Sequence, residues 1–240
     1  MLKFLLLLST LSLAFTYGQS DRYELWVALE RFSQTYGGGL DEEGLKSVLV
    51  EGQITQGTDQ YDFILRKRSP DSIRYTQSRA DRSITFGYNG VSGWQLTNWE
   101  ESSEIRALDK FEIAILREEA DFEGPLLRNF ENYNNRIRLV RSDRVSDEPV
   151  RVIEIDRINQ QTIRYYLSEK SNYILMRESF NTKGECILTT YYRDYRLISN
   201  FPFAFEVENF VGEEMVSFAK ISKVVVNPGV LSFYFEKPSH

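Results

Sequence analysis

The sequence predicts an α+β protein built on one large antiparallel β-sheet. From Ser47 onward, apolar residues recur at every second position in a series of short segments, the pattern of strands with one buried face. Turn residues separate these segments at spacings of about 8–12 residues, which is typical of an antiparallel meander. Asn89-Gly90, between two aromatic segments, is the strongest hairpin signal. Two stretches with helical periodicity accompany these segments, so the sheet carries helices.

The N-terminus has the pattern of a secretory signal peptide. One early cation precedes about a dozen mostly apolar residues at positions 4–15. A membrane-spanning helix usually needs about 20 apolar residues, so a membrane anchor is the weaker alternative. We therefore expect residues 1–18 to be a signal peptide, cleaved near Gly18 or, alternatively, near Ser20. Residues 19–240 are then expected to form a single soluble domain that is exported from the cell.

Two segments are predicted to be amphipathic helices. Residues 22–36 place Leu25, Leu29, Phe32 and Tyr36 on one face at steps of three and four. Residues 105–122 are predicted to form a second helix, whose apolar stripe is Leu108, Phe111 and Ile115. A short third helix is predicted at residues 126–130, after the helix-breaking pair Gly124-Pro125.

The predicted strands fall into two groups on either side of the second helix. The first group runs from Val48 to Leu96. The second group begins at Arg136 and ends with a strand over residues 231–235. No low-complexity linker separates the two groups, so one sheet with inserted helices fits the pattern best.

Composition excludes several classes of function. The 240 residues carry 29 Lys and Arg against 35 Asp and Glu, and this net charge of −6 argues against nucleic acid or an anionic membrane surface as the main partner. Cys186 is the only cysteine and His240 the only histidine, so neither a disulfide framework nor a conventional zinc or iron site is expected. We expect no cofactor and no enzymatic activity, and we expect Cys186 to be a buried apolar residue.

The predicted sheet has more apolar surface than a pair of helices can cover. Either the sheet closes into a barrel, or it curls around the helices and leaves a cavity that could hold a lipid. The equally open alternative is a dry core filled by the same side chains. The candidate cavity residues are Phe63, Leu65, Tyr75, Phe86, Tyr88, Trp94 and Leu96 on the strands, with Leu108, Phe111 and Ile115 on the second helix.

Charged residues offer weaker signals. The chain has 20 Arg, and the strand arginines alternate with apolar positions, which predicts an outer face where they pair with carboxylates across strands. One of them could instead bind a phosphate or carboxylate group. These arginines are Arg66, Arg68, Arg74, Arg136, Arg138, Arg151, Arg164, Arg177 and Arg193. The acidic residues Glu118, Glu119, Asp121 and Glu123 are expected to face water rather than to form a catalytic pair.

The order of several motifs resembles bacterial outer-membrane lipoprotein-sorting proteins with the LolA-like fold. The similar segments are Ala-Leu-Glu-Arg-Phe at 28–32, Tyr-Gly-Gly at 36–38, Leu-Lys-Ser-Val at 45–48, Glu-Gly at 51–52, Ala-Asp-Phe-Glu-Gly-Pro-Leu-Leu at 120–127, Ile-Arg-Tyr-Tyr-Leu at 163–167, Tyr-Ile-Leu-Met-Arg at 173–177, Tyr-Arg-Asp-Tyr-Arg at 192–196, Phe-Pro-Phe at 201–203, Val-Asn at 226–227, Phe235 and Pro238. Each motif is loose, but together they extend over the whole chain after the leader.

The resemblance implies an unclosed, strongly curved antiparallel sheet, a half-barrel of about 11 strands, with helices covering its concave face and an apolar cavity between them. It also implies a periplasmic protein of a Gram-negative-type bacterium that carries or binds lipids or lipoprotein acyl chains. An envelope membrane protein would be a further partner.

Three functions compete at this point. The first is a carrier or binder of lipids or lipoprotein acyl chains. The second is an envelope sensor or protein-interaction module with the same fold and no cargo. The third is a secreted hydrolase with a carboxylate base, for which Asp194 between Tyr192 and Tyr195 is the best buried candidate, although a structural aspartate is favoured there.

Overall fold

The computed structural model describes residues 22–36, 44–99, 103–120, 126, 137–156 and 161–238. These ranges form one sheet of 13 antiparallel strands, two α-helices and a 3-10 helix, which confirms the α+β class with two strands more than expected. The helices are α1 (residues 22–35), α2 (Lys110–Ala120) and the 3-10 helix Ser232–Phe235. The strands are β1 (Ser47–Gln56), β2 (Asp59–Arg68), β3 (Ser72–Arg79), β4 (Arg82–Tyr88), β5 (Gly93–Thr97), β6 (Glu104–Ala107), β7 (Ile137–Val145), β8 (Glu148–Asp156), β9 (Thr162–Ser168), β10 (Ile174–Phe180), β11 (Cys186–Ile198), β12 (Phe201–Val211) and β13 (Glu214–Val226).

Two meanders meet in the middle of this sheet. The strand order is β6-β5-β4-β3-β2-β1-β13-β12-β11-β10-β9-β8-β7, so every strand pairs with a sequence neighbour except at the junction of β1 and β13. The edges β6 and β7 do not pair with each other, and the sheet is therefore open. The predicted hairpin at Asn89-Gly90 is confirmed, since β4 pairs with β5 across it.

A bulge and a glycine shape the centre of the sheet. The register between β1 and β13 shifts between Glu51 and Gly52. A Cβ atom at Gly52 would lie 2.4 Å from the carbonyl oxygen of Lys220 and 2.9 Å from the ring of Phe63. Only glycine lets the Phe63 ring lie across β1 at this point, because a real Cβ could not approach other atoms so closely.

Helix α1 covers one end of the sheet, and the predicted helix at 22–36 is confirmed. Its residues Leu25, Leu29 and Phe32 are buried in a cluster with strand residues of β7, β8 and β9. We call the face that carries the helices the inner face and the opposite one the outer face. The inner-face members of this cluster are Ile137, Ile153, Ile155, Ile163, Tyr165 and Leu167.

Helix α2 covers the other end of the sheet, and it is shorter than predicted. The expected helix at 105–122 is wrong at its start, because β6 extends to Ala107 and Asp109 then caps the helix. The Asp109 carboxylate accepts hydrogen bonds from the backbone N–H groups of Phe111 and Glu112, and the Glu112 carboxylate accepts one from the N–H of Asp109. This reciprocal pattern is a capping box, which fixes a helix start at Lys110. The predicted helix at 126–130 lies almost wholly outside the described residues.

The C-terminal segment packs on the outer face instead of adding a strand. Residues 231–235, predicted as a strand, contain the 3-10 helix Ser232–Phe235, in which Phe235 is buried. The indole Nε1 of Trp94 donates a hydrogen bond of 2.9 Å to the carbonyl oxygen of Phe235. Trp94 lies flat over Gly87 on β4, where a Cβ atom would be 2.3 Å from the indole. The C-terminal segment thus covers Trp94 on the outer face of β5.

Candidate functional site

An apolar groove lies on the inner face, in the region between the two helix-covered ends. It has a volume of about 250 Å³, and its floor is formed by the central strands of the sheet. Its lining residues come from β1, β2, β3, β12 and β13. They are Val50, Ile54, Phe63, Leu65, Tyr75, Phe203, Ala204, Val207, Ala219, Ile221 and Val224. The groove therefore spans the junction of the two meanders.

The chemistry of the groove is almost purely hydrophobic. None of the lining side chains is charged, and the single hydroxyl among them belongs to Tyr75. That hydroxyl donates a hydrogen bond of 3.1 Å to the side-chain oxygen of Gln77, and burial raises the pKa of Tyr75 to about 12. A polar or ionised group of a bound ligand would give up part of its hydration here without gaining a charged partner. The groove consequently suits a neutral, apolar chain.

An ion pair on the inner face links α2 to the far side of the sheet. The guanidinium Nη1 of Arg177 on β10 lies 3.4 Å from a carboxylate oxygen of Glu119 on α2, a helix that packs on β3, β4 and β5. In the strand order β10 is six steps from β3, or roughly 29 Å along a flat sheet. This contact requires the sheet to curl strongly. Its concave inner face therefore forms a trough, and α2 bridges the two sides of this trough. Tyr192 and Glu119 raise the pKa of Arg177, which keeps the guanidinium charged.

Tyrosine hydroxyls attach the end of α1 to the same side of the trough. The hydroxyl of Tyr195 donates a hydrogen bond of 2.6 Å to the carbonyl oxygen of Ile174, and the hydroxyl of Tyr36 accepts one of 3.3 Å from the N–H of Ile174. The ring of Tyr195 also lies 4.6 Å from that of Tyr173. Burial raises the pKa of Tyr36 to about 12, so this hydroxyl stays neutral at physiological pH. These bonds hold α1 in place beside the groove.

The structure brings some predicted cavity residues together. Phe63, Leu65 and Tyr75 lie side by side in the groove wall. Phe86 pairs with Tyr75 on the same face, one strand away from the groove. Tyr88 is buried beneath α2 in a cluster with Ile73 and Ala120, and Leu108 is buried against Gly93. Whether any of these side chains contacts a lipid stays a prediction.

Four predicted cavity residues do not face the trough. Trp94 pairs with Gly87, and Leu96 pairs with Thr85, which places both on the outer face rather than beside Phe86. On α2, Phe111 is 57% exposed and Ile115 is 47% exposed. On that helix Ala120 is buried, and Ile113 and Leu116 are partly buried against the same cluster of the sheet. The predicted stripe is wrong because Leu108 precedes the helix, and the residues at 113, 116 and 120, not those at 111 and 115, lie on the face that packs against the sheet.

The sequence prediction missed the second half of the groove. Eight lining residues were not predicted, and they are Val50, Ile54, Phe203, Ala204, Val207, Ala219, Ile221 and Val224. The alternation of Phe203, Phe205 and Val207 was a usable signal for an apolar face on β12. No local signal, however, shows that β1 pairs with β13, and this pairing is what places the two halves of the groove together.

Two residues singled out for their chemistry lie on the surface. Cys186 is exposed at the start of β11, so the expectation that it is buried is wrong. Asp194 is also exposed, and it forms an ion pair of 2.6 Å with Arg196 that lowers its pKa. It is therefore not a buried general base. Its φ of 50° marks a local irregularity in β11, which turns its side chain toward solvent.

Within the described part of the chain, no group of three or more His, Cys, Asp or Glu side chains could hold a metal ion. In the same part of the chain, no helix combines the length and the hydrophobicity needed to cross a membrane.

The outer face carries arginines in two different settings. Arg138 and Arg164 both pair with the buried carboxylate of Glu154 on β8, and Arg193 pairs with Glu208, as the alternating pattern predicts. Arg177 departs from that prediction, because it lies on the inner face with Glu119. Three further outer-face arginines stack on aromatic rings and have no carboxylate partner within the described ranges, and they are Arg66, Arg68 and Arg74. Arg79, at the end of β3, pairs with Asp59.

Comparison with solved structures identifies the fold. A DUF1329 family protein from Desulfovibrio piger superimposes with a TM-score of 0.64 at 11% identity, over 89% of this chain and 96% of that one. A Vibrio parahaemolyticus domain described as outer membrane lipoprotein-sorting gives 0.62 at 12% identity, over 88% and 95%. A LolA superfamily protein from Nitrosomonas europaea gives 0.59 at 15% identity, over 88% and 97%. No family model and no curated protein sequence matches the chain. The chain thus has the LolA-like fold.

Proposed function

We propose that this protein binds one acyl chain of a lipid or lipoprotein in the central groove and carries it through the bacterial periplasm. The observation that carries the proposal is the groove itself, a continuous apolar surface whose lining, within the described residues, comes from strands alone. The fold supports the proposal, since one structure with this fold is described as outer membrane lipoprotein-sorting and another as a LolA superfamily protein. Binding of this kind needs neither a catalytic residue nor a cofactor.

The size of the groove sets the expected affinity. A volume of 250 Å³ holds about eight methylene-sized groups, if each occupies roughly the 30 Å³ of a water molecule. Burial of each methylene stabilises the complex by about 0.8 kcal/mol, which gives about 6 kcal/mol in total. Because association also costs translational and conformational entropy, this sum is an upper limit, and a Kd in the tens of micromolar is the tightest value expected for a single chain. We expect affinity to rise with chain length up to about eight to ten carbons and then to level off.

A charge placed in the groove tests the proposal. Val207→Asp puts a carboxylate into the apolar floor, where solvent can still reach it, so we expect the fold to survive and binding of a fluorescent fatty acid to fall at least tenfold. The matched control is Val211→Asp on the same strand, because Val211 is half-exposed and outside the groove. Binding would be measured by titration, and folding by circular dichroism.

Two results would count against the carrier function. If Val207→Asp and Val211→Asp bind the fatty acid equally well, the groove is not the binding site. If the folded wild-type protein binds no acyl chain of any length, the interaction-module alternative is favoured instead.

Export is part of the same proposal. Residues 1–18 lie outside the described residues, and the proposal that they are a cleaved signal peptide rests on their short apolar run after one cation. Residues 19–240 would then be the single lipid-binding domain. Intact-mass measurement on protein secreted by its host should give a chain that begins near Gln19. Recovery of the uncleaved chain from a membrane fraction would contradict the proposal.

A further inference from the structure

Three arginines on the outer face surround the C-terminal 3-10 helix without any carboxylate partner in the described ranges. Arg66 on β2 and Arg74 on β3 are directly opposite each other in the register, and Arg68 lies two residues further along β2. Like charges in directly opposite positions destabilise a sheet unless something neutralises them. The chain as a whole is acidic, so this local excess of positive charge is not a consequence of composition.

Aromatic rings and one carbonyl oxygen are the contacts of these arginines. The guanidinium carbons of Arg66, Arg68 and Arg74 lie 5.4, 5.7 and 5.5 Å from the ring centroids of Tyr234, Phe235 and Trp94. Nη1 of Arg74 donates a hydrogen bond of 3.2 Å to the carbonyl oxygen of Tyr234. The Nε of Arg74 is buried and has no hydrogen-bond acceptor among the residues that the structure describes. Burial and the neighbouring Arg66 lower the pKa of Arg74, as expected for a cation that lacks an anion.

Other arginines of the sheet combine stacking on an aromatic ring with an ion pair to a carboxylate. Arg193 on β11 also stacks over a ring, that of Tyr191 at 5.3 Å, but its Nε lies 3.0 Å from a carboxylate oxygen of Glu208. Arg164 stacks over Phe180 and pairs with Glu154. The cluster on β2 and β3 has the same stacking without the anion. Within the described ranges no carboxylate takes that place beside Arg66, Arg68 or Arg74, so these guanidinium groups can receive an anion from outside.

Exposed apolar side chains lie next to this cluster. Leu231 is 61% exposed and Phe233 is 60% exposed, although both belong to the segment that packs on the sheet. The ring of Phe233 stacks on Tyr234 at 4.4 Å, and Tyr234 in turn lies under Arg66. Cationic and aromatic side chains next to each other match the interface of a membrane, where phosphates are adjacent to the acyl region.

We infer that this surface docks on a membrane through anionic phospholipid headgroups. The arginine–aromatic patch consists of Arg66, Arg68, Arg74, Leu231, Phe233 and Tyr234. Arg66 and Arg74 would bind headgroup phosphates, for which the planar guanidinium is well suited, while Phe233 and Leu231 enter the headgroup layer. Leu65 and Tyr75 on the same two strands face the groove, so docking leaves the groove uncovered. The inference goes beyond acyl-chain binding and does not depend on it.

Vesicle co-sedimentation tests the inference. The purified protein, with the same N-terminus in all variants, is mixed with vesicles of phosphatidylcholine alone or of phosphatidylcholine with phosphatidylglycerol. We expect binding to the anionic vesicles only, and a decrease as salt is raised. Arg66→Gln together with Arg74→Gln should weaken binding at least tenfold. The control Arg193→Gln removes a stacked but paired arginine and should leave binding unchanged.

Arg74 stacks on the buried Trp94, so its replacement could also destabilise the fold. A second variant therefore tests the surface without touching Arg74. Phe233→Ser alters only an exposed side chain and should weaken vesicle binding several-fold with an unchanged melting temperature. Val207→Asp should bind vesicles like the wild type, which separates this inference from the acyl-chain proposal. Three results would overturn the inference: equal binding to neutral and anionic vesicles, an equal loss of binding in Arg193→Gln and in the double variant, or no vesicle binding by the wild type. The last of these would favour an acidic protein as the partner.

Discussion

The two ends of the inner face and its centre share the same alternation of apolar residues, but they differ in how deeply those residues are buried. Beneath α1, residues of β8 and β9 such as Ile153, Ile155 and Ile163 are completely buried. At the centre, residues of β1 and β12 such as Ile54 and Val207 have the same alternation, yet they remain partly exposed in the groove. Apolar periodicity therefore predicts which residues share a face, and not whether that face is covered.

The width of the sheet explains the difference. Thirteen strands at about 4.8 Å spacing are roughly 58 Å wide, whereas a helix with its side chains is about 10 Å in diameter. Helices α1 and α2 can cover only the two ends, even though the sheet curls until Arg177 meets Glu119. Within the described residues, the groove at the centre is lined by strands alone. Four predictions test this comparison, from the largest expected effect to the smallest.

A buried charge should distinguish the covered end from the centre most strongly. Ile153→Asp places a carboxylate beneath α1 where neither water nor a cation can reach it, so we expect no folded protein. Val207→Asp should remain folded. Circular dichroism and size-exclusion chromatography of the two variants would show this. A folded Ile153→Asp protein would mean that α1 does not seal its end of the sheet.

Truncation of isoleucines gives a graded version of the same comparison. Ile163→Ala should lower the free energy of unfolding by about 2–5 kcal/mol, because a close-packed cluster cannot collapse around the cavity. Ile54→Ala should cost about 1 kcal/mol or less, because its side chain already borders open space. Urea denaturation measures both values. Equal losses would show that the groove is packed as tightly as the covered end.

The N-terminal cap of α2 should contribute to the stability of the protein about as much as a single helix cap usually does. Asp109→Ala removes the acceptor for the N–H groups of Phe111 and Glu112, which should destabilise the protein by about 1 kcal/mol. Asp109→Asn retains an acceptor oxygen and should cost much less. Thermal unfolding of both variants is the measurement. An identical decrease in melting temperature for the two would argue against capping as the cause.

The ion pair between α2 and β10 should affect ligand exchange more than stability. Glu119→Gln removes a half-exposed partner, so the expected loss of stability is below about 1 kcal/mol. Release of a bound fluorescent fatty acid should become a few-fold faster, because α2 is held less firmly across the trough. The exposed Glu214 at the start of β13 offers the control Glu214→Gln. Unchanged release rates in Glu119→Gln would remove α2 from the account of binding.

The sequence predicted the elements better than it predicted their faces. The helix at 22–36 and the hairpins of the first meander are found where the periodicity and the turn residues place them. Trp94 is an example of a residue whose face the periodicity did not predict. A period of two relates Trp94 to Leu96 but not to Phe86 across the loop, and the loop length puts Gly93 opposite Tyr88, so Trp94 faces outward.

The groove could be predicted only in part, for a topological reason. Phe63, Leu65 and Tyr75 belong to consecutive hairpin strands, so their common face follows from local pairing. Their neighbours Val207 and Ala219 are more than 120 residues away along the chain, and only the pairing of β1 with β13 brings them close. The resemblance to lipoprotein-sorting proteins implied a cavity but not its position in the sheet.

Photo-crosslinking with a diazirine-labelled fatty acid tests the central claim most directly. The claim is that the uncovered centre of the inner face, and no other surface, receives an acyl chain. Mass spectrometry should place the adducts on groove residues of β1, β12 and β13, such as Val50, Val207 and Ala219, and unlabelled fatty acid should compete for them. Adducts confined to the arginine–aromatic patch or to the exposed face of α2, or no adducts that unlabelled fatty acid displaces, would contradict the claim.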